Sequence, residues 1–208
     1  MFKEFSRLVH QHTCPDACAS EIRSQLNWWM GAFAAAFTED LSRVLMVKLG
    51  DYAKSSDGLF PWTLPGGSVE LGEPPTTAVR REIEEETGLA IKSQLTPIAW
   101  MARPYYQSRR LDSKGEFVLL LGTTIEESDC PLPATEEIRD CRFWDFDYQK
   151  MLTLEAPIES DAYFPPHWLH WAEYGRKRLS GEISEVLIHE YPSSATMKLP
   201  LSETCEHE

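Results

Sequence analysis

Between Gly67 and Leu89 the chain reads GSVELGEPPTTAVRREIEEETGL. No other stretch limits the fold as tightly, because it must form a turn followed by a helix with its acids on one arc. Pro75 suits a first helical turn, where its missing N–H has no bond to make. Ala78 to Glu86 holds only residues that a helix tolerates. Gly88 is placed to end the helix in a left-handed conformation. At ~100° per residue, Glu82, Glu85 and Glu86 share about one third of the circumference. Val79 and Ile83 form the adjacent apolar stripe, which can pack on a sheet. Arg81 and Glu85 stand at i,i+4, as do Arg80 and Glu84, and both pairs can bond.

Three carboxylates on one arc repel one another, and Glu84 adds a fourth nearby. A divalent cation removes that cost. Hard oxygen ligands suit Mg²⁺ or Mn²⁺, and Mg²⁺ in particular keeps waters and takes further ligands from substrate phosphates. A solvated acidic face is the ordinary reading of a charge run. The flanking glycines and the fixed intervals argue against it here. Trp62-Thr63-Leu64 reads as the end of a strand and Pro65-Gly66-Gly67 as a tight turn. Two adjacent glycines let backbone approach a ligand closely.

From Gly67 the intervals run to Glu73, to Arg81-Glu82-Ile83, to Glu85-Glu86 and to Gly88-Leu89. They follow the pattern G-x5-E-x7-R-E-U-x-E-E-x-G-U, where U is aliphatic. The chain therefore resembles the Nudix hydrolase superfamily, with nine constrained positions matched over twenty-three residues. The resemblance implies an α/β/α sandwich with a mixed curved β-sheet. It implies Mg²⁺ (or Mn²⁺) held by Glu82, Glu85 and Glu86 together with the carbonyl of Gly66. Arg81 would orient the acids through a salt bridge, and Glu73 would bond near the loop or the arginine. The general base varies in the family. Glu82 is one candidate and a glutamate on a later loop is another. Glu136 and Glu137 precede the strand-like Cys141–Phe146, and Glu137 is preferred.

The implied reaction is hydrolysis of a phosphoanhydride in a nucleotide. Gly67, Arg103, Tyr105 and Tyr106 are the candidate substrate-binding residues. Pro104 stands fifteen residues beyond Leu89, which marks ADP-ribose pyrophosphatases in this family. Tyr105 stands one further, which marks diadenosine polyphosphate hydrolases. A tyrosine ring can also stack on a base. The expectation is ADP-ribose or a nucleotide sugar. The alternatives are a (d)NTP, a dinucleoside polyphosphate, or a regulator that binds a nucleotide without cleaving it. An isopentenyl diphosphate isomerase shares the fold but needs a cysteine early in the domain. Cys14 and Cys18 precede the expected core.

The net charge of −13 argues against broad binding to nucleic acid or anionic membrane. It does not argue against a small anion, because a bound metal supplies local positive charge. Met1 to His10 lacks an apolar h-region, so no secretory leader is expected. The longest apolar run, Trp28 to Phe37, is ten residues, too short for a bilayer. The five cysteines are odd in number and irregularly spaced, so no disulfide framework is expected and a cytoplasmic location fits. His10, His12, Cys14 and Cys18 form a dense group that zinc could use, although a tight C-x2-C pair is missing.

Residues 1–28 read as an extension with a short helix at Pro15–Gln25, residues 29–180 as the Nudix domain, and 181–208 as a tail. The extension could serve a homodimer, which the family often forms. Met30–Phe37 is alanine-rich, yet the turn signal Thr38-Glu39-Asp40 and the strand-like Arg43–Leu49 make it a buried strand. Ile91–Tyr106 and Glu116–Glu126 read as strands. Pro166–Leu179 reads as a helix with Trp168, Trp171, Ala172, Gly175 and Leu179 on one face. Tyr163–Trp171 is dense in aromatics, and packing is the default reason for that.

Overall fold

The computed structural model describes residues 2–11, 15–26, 28–104, 115–126, 131–133, 135–153, 159–190 and 196–200. The strands are β1 (Trp29–Thr38), β2 (Arg43–Leu49), β3 (Phe60–Thr63), β4 (Gly66–Ser68), β5 (Thr96–Pro104), β6 (Gly115–Ile125), β7 (Ile138–Asp145), β8 (Ala162–Tyr163), β9 (Glu185–Glu190) and β10 (Thr196–Pro200). The helices are α1 (Phe2–Gln11), α2 (Pro15–Leu26), α3 (Pro75–Thr87), α4 (Tyr148–Thr153) and α5 (Pro166–Leu179).

The strands join in the order β10-β9-β5-β6-β1-β2-β3-β8, with β4 on β1 and β7 on β2. The sheet is mixed. β1 runs parallel to β6 along its whole length and antiparallel to β2 and β4. The alanines of β1 resolve as strand because both faces of this strand are covered, and small residues let helices sit close. Ala32, Ala34 and Ala36 join one core with Ala78, Val79 and Ile83 of α3. Ala35 and Phe37 join the opposite core with Leu169, Trp171 and Ala172 of α5. β6 alternates the same way, with Leu119 and Leu121 on the α3 side and Leu120 on the α5 side. That two-sided burial is the expected α/β/α sandwich.

Both helical spans agree with the residues read from the sequence. Pro75 stands in the first turn of α3, and Gly88 caps it in the left-handed region at φ 70°. The extension folds as α1 and α2, whose Phe5, Leu8, Cys18, Ala19 and Ile22 pack into the α3-side core. In the tail, β9 pairs parallel with β5. The strand expected from Ile91 starts instead at Thr96, because Arg80 binds the carbonyls of Ile91 and Ser93 and holds that segment against α3. The same bonds take the place of the Arg80–Glu84 pair that the spacing allows, since a half-buried carbonyl offers a fixed acceptor where an exposed carboxylate offers a solvated one. The last core strand begins at Ile138, earlier than Cys141.

Candidate active site

The glycine turn comes first. Gly66 holds φ 140°, and a Cβ there would lie 2.3 Å from the Ala32 carbonyl oxygen and 2.6 Å from the Phe33 Cα. Only glycine therefore lets β4 pair with β1 at Ala32↔Gly67 and Phe33↔Gly66. At Gly67 a Cβ would meet the Glu82 carboxyl, with Oε1 at 2.7 Å. The turn and the helix are thus in contact along β4 and the inner side of α3.

Arg81 is the hub of the acids. Its Nε donates to Glu73 Oε1 at 3.0 Å and its Nη2 to Glu73 Oε2 at 3.1 Å, a two-point clamp. Nη2 also donates to the Ser68 carbonyl at 3.0 Å, which ties α3 to β4. Nη1 donates to Glu82 Oε1 and to Glu85 Oε2, both at 2.9 Å. Glu73 in turn accepts from the Glu70 N–H. Bonds to Glu73 above all, then the charge of Glu82, hold the guanidinium pKa well above its usual value.

Glu86 is 9% exposed and takes the N–H of Gly66 on Oε2 at 2.9 Å. Burial pushes its pKa up to about 8. The Gly66 N–H opposes that rise, while the charges of Glu82, Glu137 and Glu85 add to it. Glu82 is also raised, first by burial, with Arg81 opposing.

Gly66, Gly67, Arg81, Glu82, Glu85 and Glu86 line one cleft of ≈600 Å³ together with Glu137. Glu137 is carried there by the loop before β7. The Gly50 N–H donates to its carbonyl at 2.8 Å, and a Cβ at Gly50 would lie 2.9 Å from that oxygen. Glu136 is exposed and is not part of the wall.

Trp29, Phe33, His167 and Trp168 border this cleft and also a second pocket of ≈290 Å³. Arg103 lines that second pocket, its Nη1 paired at 3.1 Å with Glu116. Burial raises the Glu116 carboxyl against the pull of Arg103. Burial lowers His167, and Arg103 adds to that. Arg103 thus stands beside the acid cleft and not among the box residues. Sequence reading missed Glu116, Trp29 and Phe33 as lining residues. Their only signal was strand register, since Arg103 and Glu116 are direct partners on β5 and β6. Tyr105 and Tyr106 lie outside the described residues. So do His12 and Cys14, and the His10 side chain. Cys18 is buried, with its thiol directed at the Leu8 carbonyl.

A family model for the NUDIX domain matches residues 29–172. The chain belongs to the Nudix family. With a complete Nudix box it is a pyrophosphohydrolase of that family. No curated protein matches the chain. Its fold is similar to the MutT protein of Methanosarcina mazei, at 18% identity over 74% of this chain and 94% of that one, TM-score 0.50. It is also similar to the NUDIX domain of Shewanella oneidensis NrtR, solved with ADP ribose, at 17% identity over 77% and 97%, TM-score 0.53.

Nudix hydrolases use divalent metal ions, and this donor set fits one. The fit rests on Glu86, a buried carboxyl with three more acids around it and a backbone N–H as its hydrogen-bond donor. Carboxylate and carbonyl oxygens are the hard donors that Mg²⁺ and Mn²⁺ prefer. Among the described residues no three acid, His or Cys side chains stand as a finished cation cage. Arg81 instead bonds Glu82 and Glu85, and the Gly66 N–H bonds Glu86, which offsets part of the repulsion. Among the described residues no helix is long and apolar enough to cross a membrane.

Proposed function

We propose that this Nudix enzyme cleaves the phosphoanhydride of a nucleoside diphosphate joined to a second group, with ADP-ribose or a nucleotide sugar as the substrate class. One observation carries the reading: the acid-walled cleft and the pocket that holds Arg103 and Glu116 lie side by side, with Trp29, Phe33, His167 and Trp168 lining both. A two-part cleft of this kind suits a two-part ligand. Aromatic faces stack on a base. Glu116 accepts and Arg103 donates, the pair of roles that a base edge complements. That the NrtR Nudix domain was solved with ADP ribose is consistent with this class.

Glu82, Glu85, Glu86 and the Gly66 carbonyl would hold the divalent ion, which when bound neutralises charge developing on the diphosphate. Glu137 or Glu82 takes the proton of the attacking water. Arg81 keeps Glu82 and Glu85 on the cleft side of α3.

The test is a screen for released nucleoside monophosphate, with Mg²⁺ and Mn²⁺, over ADP-ribose, nucleotide sugars, dinucleoside polyphosphates and (d)NTPs. Preference for the first two classes supports the reading. Preference for (d)NTPs moves the substrate while keeping the enzyme. Nucleotide binding without turnover in any class points to a regulator.

A further inference from the structure

We propose that Asp16, which lies outside the residues matched by the family model, is a positioning residue for the catalytic helix α3. Asp16 Oδ1 accepts the Thr76 backbone N–H at 3.1 Å, and Oδ2 accepts the Thr76 hydroxyl at 2.7 Å. The need for this contact follows from the local sequence. The N-cap of α3 is Pro74, which makes no side-chain cap bond. Pro75 has no N–H to cap. The N–H groups of Thr77 and Ala78 both reach the Pro74 carbonyl at 3.0 Å. Thr76 is then the first-turn donor whose acceptor must come from elsewhere, and α2 supplies it from sixty residues away. A carboxylate is also the favourable charge at a helix N-terminus.

The contact is anchored. Cys18, Ala19 and Ile22 of α2 pack in one core with Ala78, Val79 and Ile83 of α3. Its effect reaches the site by a short path. Thr76 lies between Glu73, in the loop before α3, and Arg81, which Glu73 clamps at two points. A first turn that loosens changes the frame of that clamp, and Arg81 holds both Glu82 and Glu85. Asp16 therefore acts through Thr76 and Arg81 without touching substrate.

This inference rests on the reading of the α3 glutamates as metal-holding residues. The full chain is compared with Asp16→Ala and Asp16→Asn by Mn²⁺ titration followed by electron paramagnetic resonance, and by kcat and KM below the melting transition. Asp16→Ala is expected to bind Mn²⁺ about tenfold more weakly, with kcat lowered and nucleotide KM unchanged. Asp16→Asn is expected to recover most of both, because an amide oxygen still accepts from the Thr76 N–H. A lower melting temperature with unchanged Mn²⁺ affinity and kcat would overturn the proposal. Equal losses in the two variants would also overturn it, by assigning the effect to charge and not to the bond. If the parent binds Mn²⁺ yet cleaves no nucleotide, the proposed function fails while a weaker Mn²⁺ affinity in Asp16→Ala still supports Asp16. A parent that binds no Mn²⁺ overturns both.

Discussion

The backbone N–H of Gly66 donates to Oε2 of Glu86 across 2.9 Å, joining the glycine turn to the last turn of α3. This bond steadies a carboxyl that is nearly out of water. It costs the fold something, since the same carboxyl sits among Glu82, Glu85 and Glu137. A site that strains the fold to present charge should lose function and keep stability when the charge is removed.

Glu86→Gln is the direct check. Turnover should fall by orders of magnitude. In chelator at neutral pH, the melting temperature should be no lower than that of the parent, because the amide removes a carboxyl that must take up a proton to be buried. Near-parental turnover would sink the metal assignment.

The two glycines should separate stability from activity. Gly66→Ala places a Cβ against backbone at Ala32 and Phe33 and strains φ, so it should lose on the order of 1–3 kcal/mol of stability or more. Gly67→Ala meets only the end of the flexible Glu82 side chain. It should keep the fold and lose about 100-fold in kcat, by moving Glu82. Denaturant melts and steady-state kinetics on both variants test this, and the reverse pattern would refute it.

Arg81→Lys keeps the charge and loses the fork. A lysine cannot clamp Glu73 at two points while bonding Ser68, Glu82 and Glu85. A drop of about 10- to 100-fold in kcat or metal affinity is expected. Parental kinetics would mean that charge alone suffices at this position.

Glu116 gives a pH signature. Burial raises its carboxyl above the ordinary value, so the folded chain binds this proton more tightly than the unfolded chain does. The stability it contributes is full below the ordinary glutamate pKa and is lost as pH rises through the raised value. Denaturant midpoints of the parent and Glu116→Gln should therefore diverge between acid and neutral pH, with the parent falling relative to the variant. Parallel curves would show that Arg103 offsets the burial fully.

The box helix was legible because its signals are local. Pro75, Gly88 and the spacing of Glu82, Glu85 and Glu86 act within a few residues of one another. The strand assignment of Met30–Phe37 was legible only through its neighbours, since alanine alone favours helix. The partners of Arg80 were not legible, for the opposite reason. Glu84 is its local partner, yet the Ile91 and Ser93 carbonyls come within its reach only after the chain has packed.

Sequence alone determined the family, the ends of α3 and α5, and the acids that share one arc. Each of those is a matter of spacing along a helix or around a turn, which the backbone fixes at short range. Tertiary structure alone decided that Arg103 faces Glu116 and that Asp16 caps α3. Those pairings join residues far apart in the chain. They depend on strand register and on which faces bury together, and that balance is set by the packing of the whole molecule.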